Sequence, residues 1–192
     1  MITLRPYTES DFYRTLAWID SYEMLVQWAG PVQFSYPLTI EQLRHYSADI
    51  AAVQSVRRIF AAVDEHGCVC GQIELGALDF VNETATVCRV LVSPEARGKG
   101  FCLAMMRAIL SYGFEAMRFR RIDLRVYSFN TAAIRCYEKA GFVKEGVLRQ
   151  SVKMGDGYWD TVLMGMLREE WDPAKMGCTS CYPQEDDIHH RP

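Results

Sequence analysis

Val90-Leu91-Val92-Ser93-Pro94-Glu95-Ala96-Arg97-Gly98-Lys99-Gly100-Phe101-Cys102 is the stretch from which the rest of this chain is read. Its β-branched run predicts a buried strand, Ser93-Pro94 stops that strand, and two glycines one residue apart open an amphipathic segment. A backbone without Cβ atoms can curl its N–H groups around an anion. The helix that follows adds unpaired first-turn N–H groups and the positive end of its dipole. Strand, Arg-Gly-x-Gly and helix together predict a phosphate cradle.

Two familiar phosphate loops do not fit. A P-loop needs Ser or Thr after its Gly-Lys pair to hold magnesium, and here Lys99 is followed by Gly100 and Phe101. A dinucleotide fingerprint needs a third glycine where Leu103 stands, and it belongs near the start of a βαβ unit. A third pattern, Gln/Arg-x-x-Gly-x-Gly/Ala, fits Glu95–Gly100 at every position but the first, where Glu95 replaces Gln or Arg. Backbone N–H contacts do not depend on that side chain.

Further along, Asn130-Thr131-Ala132-Ala133-Ile134-Arg135-Cys136-Tyr137-Glu138-Lys139-Ala140-Gly141-Phe142 follows Asn-x-x-Ala-x-x-x-Tyr-x-Lys-x-Gly-Phe. Glu145-Gly146, Gly157-Tyr158-Trp159-Asp160 and the opening Ile2-Thr3-Leu4-Arg5-Pro6 extend the pattern over residues 2–171. On these motifs the chain resembles the GNAT superfamily of acetyl-CoA-dependent N-acetyltransferases, in the branch of ribosomal-protein alanine and spermidine acetyltransferases. The resemblance implies an α/β (α+β) fold: a mixed, mostly antiparallel twisted sheet of about seven strands, flanked by helices, with a splayed central strand pair. It implies acetyl-CoA held by Leu91, Val92, Arg97, Gly98, Lys99, Gly100, Phe101, Cys102, Asn130 and Ala133, and an amine acceptor.

Acetyl transfer requires a neutral amine, a polarised thioester carbonyl, a stabilised oxyanion and a protonated thiolate leaving group. Tyr137 is the candidate general acid, since a phenol with pKa about 10 stays protonated at neutral pH. A core tyrosine packed on the sheet is the alternative. Glu74 is the candidate base by the same resemblance. A solvent-facing strand residue alternating with Ile73 and Leu75 is its alternative, and a water chain can replace a base altogether. Asn130 suits a helix N-cap as well as a contact to the coenzyme arm. Glu23, Trp28 and Tyr36 are the candidate acceptor contacts, with Phe34 beside them. For Glu23 a plain surface helix position remains open, and for the aromatics a buried one. An acyl-CoA-binding sensor that lost turnover is the competing function.

Composition narrows the partners. At 192 residues and 49% hydrophobic, the chain can bury one substantial core. A net charge of −3 leaves no footprint for nucleic acid, and Arg118-Phe119-Arg120-Arg121 reads as a solvated face. No apolar run approaches the ~20 residues of a membrane span, so a soluble, cytoplasmic protein is expected, with a homodimer left open. Five of the seven cysteines, Cys68, Cys70, Cys88, Cys102 and Cys136, fall at strand and helix positions as small apolar fillers. Cys178 and Cys181, near His189 and His190, have ligand-like spacing, but their setting of Pro, Gly and acidic residues argues for no metal.

Residues 1–172 are expected to form one domain and 173–192 a mobile tail. Strands are expected at 2–6, 57–64, 69–79, 84–93, 122–128, 143–153 and 158–168, the last two joined at Gly155-Asp156-Gly157. Helices are expected from Thr8 to Asp20, over 22–29, from a capping box at Thr39–Gln42 to Gln54, after Gly100, and from Asn130 to Ala140.

Overall fold

The computed structural model describes residues 2–48 and 55–176. Seven strands form one sheet in the order β1-β2-β3-β4-β5-β7-β6. They are β1 (Ile2–Pro6), β2 (Arg58–Asp64), β3 (Val69–Asp79), β4 (Thr84–Val92), β5 (Arg121–Tyr127), β6 (Val143–Met154) and β7 (Gly157–Leu167). Every neighbouring pair is antiparallel except β4 and β5, which run parallel. A parallel pair needs a crossover, and the helix α4 (Phe101–Ser111) supplies it. The expected mixed, mostly antiparallel sheet is therefore present.

Alternation along the central strands feeds two cores. Phe60 and Ala62 of β2 face one core with Met105, Met106 and Ile109 of α4. Ile59 and Ala61 face the other, with residues of α1 (Phe12–Trp18), α2 (Tyr22–Ala29) and α3 (Ile40–Ser47). A period of two with both faces apolar is the signature of a strand covered on both sides. The helix α5 (Thr131–Lys139) adds Ile134 and Tyr137 to the first core.

Several boundaries differ from expectation. The first helix begins as a 3-10 turn at Glu9–Asp11 and its α-helical part stops at Trp18, where Ile19 leaves helical dihedrals. Ile19 is 5% exposed, and the chain turns there to bury it. The Thr39 capping box forms only in part. Thr39 accepts from the Gln42 N–H at 3.3 Å, but Gln42 accepts from the Ser35 N–H and donates to the Pro37 carbonyl. The helix it starts is described only to Ser47; its expected continuation over 49–54 lies outside the described residues. Of the expected tail, Pro173–Met176 forms a short helical turn, α6. Cys178, Cys181, His189 and His190 lie outside the described residues. Among the described residues no cluster of three or more His, Cys, Asp or Glu could hold a metal, and no helix is long and apolar enough to cross a membrane.

An ion pair locks β1 to the start of α1. Both terminal nitrogens of Arg5 donate to the Asp11 carboxylate at 2.7 Å, and the Thr8 N–H donates to it at 3.0 Å. Burial pushes the Asp11 carboxyl up, but the Arg5 and Thr8 hydrogen bonds outweigh it and hold the group below its ordinary range. Asp11→Asn should cost about 1.5–3 kcal/mol at pH 7, the range for hydrogen bonds to a charged group. The folded pKa lies below the unfolded value of about 3.9, so this stability is complete above that value. It is lost as pH falls through the folded pKa. Denaturation curves of wild type and variant should be well separated at pH 7 and converge in acid.

Candidate active site

The parallel pair is laddered only at one end. Thr84–Val87 of β4 pair with Arg121–Leu124 of β5, and beyond Leu124 the two strands diverge. The wedge between them opens into a cleft of about 620 Å³. Cys88, Arg89 and Val90 line one wall, and Arg125, Val126 and Tyr127 the other. Trp28 and Gly30 close it from the α2 side, Asn130 and Tyr137 from α5, and Leu148 and Ser151 from β6. This is the splayed pair that the sequence led us to expect.

A bulge sets the opening. Gln72 faces Leu91 and Glu74 faces Cys88, so the single residue Ile73 lies opposite both Arg89 and Val90. Such an insertion bends the strand and re-aims its backbone groups. Arg89 takes φ of 48°, a left-handed conformation that costs a side-chain-bearing residue roughly 1–2 kcal/mol. The bulge falls just before the expected contact residues Leu91 and Val92. Leu91 is 2% exposed in the second core, and the Val92 carbonyl accepts from Arg97 Nε at 3.3 Å.

The glycine turn follows directly. Gly98 and Gly100 adopt φ of 76° and 82°, and a Cβ on either would meet nothing within 4 Å. Glycine is therefore required here by backbone conformation and not by crowding. Among the described residues the N–H groups of Gly98, Lys99 and Gly100 make no hydrogen bond to the backbone. They stand exposed before α4, with Phe101 and Cys102 in its first turn. The arrangement offers several donors and a helix dipole to one anion.

Asn130 caps α5, accepting from the Ala133 N–H at 3.2 Å, and its residue lines the cleft. Tyr137 is 7% exposed and borders the cleft. Burial, with lesser contributions from Cys102 and Cys136, pushes its hydroxyl well above the ordinary range, so it carries its proton at any physiological pH. Cys88 is half-buried, and desolvation pushes its thiol up to about 12, so it stays a neutral wall residue.

Glu74 is 2% exposed, which corrects the solvent-facing alternative. Its face of β3 is covered by α3, and the Tyr46 hydroxyl lies 2.7 and 2.8 Å from the two carboxylate oxygens. Arg89 adds an ion pair at 3.3 Å. Glu74 itself is not part of the cleft wall. Trp28 is, and it is also core: its indole N–H donates to the Arg89 carbonyl at 3.1 Å, and its ring stacks on Phe34 at 5.4 Å. Glu23 is exposed on the first turn of α2. Tyr36 is 47% exposed and donates to the Asp20 carbonyl. Neither belongs to the cleft wall. Arg89 and Tyr127 are wall residues that sequence reading passed over; a lone arginine inside the apolar run of β4 is the signal that marks the first.

Sheet order, opened strand pair and glycine turn together define an acetyltransferase fold of the GNAT type. The chain belongs to the acetyltransferase (GNAT) family, whose sequence model matches residues 18–142. It is 36% identical over 113 residues to the SPbeta prophage-derived uncharacterized N-acetyltransferase YokL of Bacillus subtilis (strain 168), a match that covers 59% of this chain and 63% of that protein. The aligned part is thus less than two thirds of that relative's length. The spermidine N(1)-acetyltransferase of Vibrio cholerae serotype O1 is 28% identical over 117 residues, covering 61% of this chain and 67% of that one. A crystal structure of spermidine N-acetyltransferase from Vibrio cholerae in complex with CoA and spermine superimposes with a TM-score of 0.77. At 22% identity, over 88% of this chain and 96% of that chain, this likeness establishes the fold.

Proposed function

We propose that this protein moves an acetyl group from acetyl-CoA to a primary amine, on a small molecule or a protein N-terminus, by direct attack in a ternary complex. The observation that carries the reading is the wedge between β4 and β5, with a bulged strand and a buried phenol on its walls and a glycine turn at the end of β4. The residues present fit the coenzyme. Gly98, Lys99, Gly100, Phe101 and Cys102 would hold its diphosphate through exposed N–H groups at the start of α4, and Arg97, whose own N–H donates to the Pro94 carbonyl, would add its side-chain charge. The open edge of β4 from Val90 to Val92, with Asn130 and Ala133 opposite, would hold its pantetheine arm. Bound there, acetyl-CoA supplies the activated acyl carbon.

Each step then falls to a residue of the wedge. A backbone N–H of the bulge faces the thioester carbonyl and stabilises its developing negative charge, a contribution of about 3–4 kcal/mol for one such donor. Tyr137 gives its proton to the departing thiolate. Among the described residues no carboxylate lines the cleft, and we assign the amine proton to water. The reactive fraction is then the neutral amine, and kcat/KM should climb with pH toward the acceptor's own pKa. Trp28 forms the acceptor-side wall. Glu23 and Tyr36, which do not line the cleft, are assigned to the acceptor's approach.

The test is a panel of amines (polyamines, amino acids, aminoglycosides and N-terminal peptides) assayed for CoA release and for product mass. One acetylated product with stoichiometric CoA supports the reading. Tight acetyl-CoA binding with no turnover on any amine would replace it with the sensor function.

A further inference from the structure

The carboxylate that looks like a base is tied up elsewhere. Glu74 lies under the Tyr46 hydroxyl and against Arg89, and its Oε1 sits only 2.7 Å from where a Cβ on Gly76 would be. Gly76 thus leaves the room in which the carboxylate lies. Arg89 is held through its two terminal nitrogens, while its buried Nε has no hydrogen-bond partner among the described residues. One terminal nitrogen reaches Glu74 at 3.3 Å and the other reaches Gln33 at 3.2 Å. Its guanidinium carbon lies 4.6 Å from the centre of the Tyr46 ring, while Arg57 approaches the same ring at 4.4 Å. Its carbonyl accepts the Trp28 indole N–H. All of these contacts converge on the left-handed residue that makes the bulge.

We propose that Glu74 serves the reaction as a positioning residue. Its carboxylate holds the Arg89 guanidinium, and Arg89, so held, fixes the bulge that presents Val90 to the cleft. The inference rests on the transferase reading for its catalytic consequence but not for its structural one. The carboxylate accepts from Tyr46, pairs with Arg89, and does not line the cleft. Removing its charge frees the arginine, and a strained backbone persists only where its surroundings over-determine it.

The experiment compares Glu74→Gln, Arg89→Met and the double variant, with Arg89→Lys as the conservative replacement. Two readouts are used: steady-state kinetics across pH, and the indole N–H resonance of Trp28, assigned through Trp28→Phe. The inference expects Glu74→Gln to lower kcat about 10-fold, with KM for acetyl-CoA nearly unchanged. That is part of the roughly 10²–10³ that a misplaced oxyanion donor forfeits. The pH profile should keep its shape, the Trp28 indole resonance should move, and the double variant should be no worse than Arg89→Met. Arg89→Lys should recover part of the loss. Disappearance of the acidic limb in Glu74→Gln would overturn the inference and make Glu74 the base. An unmoved indole resonance would overturn it as well. Should the wild type acetylate no amine, the proposed function fails, and the indole shift still decides whether Glu74 holds the bulge. Should Glu74→Gln fail to fold, Arg89→Met and Arg89→Lys carry the same two readouts.

Discussion

Tyr137→Phe should lower kcat by about 10²-fold or more, the range for loss of a positioned general acid, while acetyl-CoA binding stays within about twofold. The competing account, a tyrosine kept only for packing, makes the opposite forecast. Its ring packs near Phe142, with centroids 6.4 Å apart, and phenylalanine preserves that contact. No hydrogen bond among the described residues holds the hydroxyl. Deleting the hydroxyl breaks no protein hydrogen bond among the described residues, so thermal stability should be nearly unchanged. A structural tyrosine thus predicts normal kcat and normal stability, and an acid predicts lost kcat with normal stability. The pH dependence adds a second discriminator. Because burial raises the Tyr137 pKa, the acid should not titrate away as the medium turns alkaline, and wild-type kcat should show no descending limb up to about pH 10. Stopped-flow CoA release for both proteins, alongside calorimetric affinity, decides the matter.

What the sequence made legible was local. Gly98 and Gly100 occupy left-handed dihedrals, Asn130 caps α5, and Gly141, at φ of 104°, follows the end of that helix. Each depends on residues a few positions away, and each was readable from residue type and spacing. The mixed sheet was legible because alternation marks strands and one glycine turn marks the crossover. The bulge was not. Arg89 is held by Glu74, 15 positions away, and by Trp28, 61 positions away, and no window of sequence contains both.

Glu74 shows why a correct period can still mislead. Alternation with Ile73 and Leu75 put it on the face opposite theirs, but a period of two is silent on whether that second face is covered. In an edge hairpin it faces water. In β3, third of the seven strands, it faces α3 and Tyr46. The same limit explains Trp28, where one ring is both core and cleft wall. The expected choice between buried and functional aromatics was not a choice the molecule makes. Fold was therefore more legible than site, since the site is assembled across the sheet from residues whose roles depend on distant neighbours.

Gly100→Asp should weaken acetyl-CoA binding by about 50-fold or more, and Gly100→Asn by much less. The pair separates two effects that any substitution here combines. Gly100 sits at φ of 82°, so a side chain incurs a conformational cost, which Asn tolerates better than most residues. There is open space at its Cβ position, so neither replacement clashes with the protein. What differs between the two is one negative charge placed beside the exposed N–H groups of Gly98–Gly100. If those groups clasp a diphosphate, the carboxylate competes for the donors and repels the ligand, whereas the carboxamide does neither. Two unit charges about 4 Å apart at an effective dielectric of about 20 interact by roughly 4 kcal/mol. Even half of that, after screening, accounts for a loss of more than an order of magnitude. Titration calorimetry at two salt concentrations supplies the control, because the gap between the variants should narrow as salt rises. Equal losses in both would show that only the turn's conformation matters. No loss in either would place the diphosphate elsewhere.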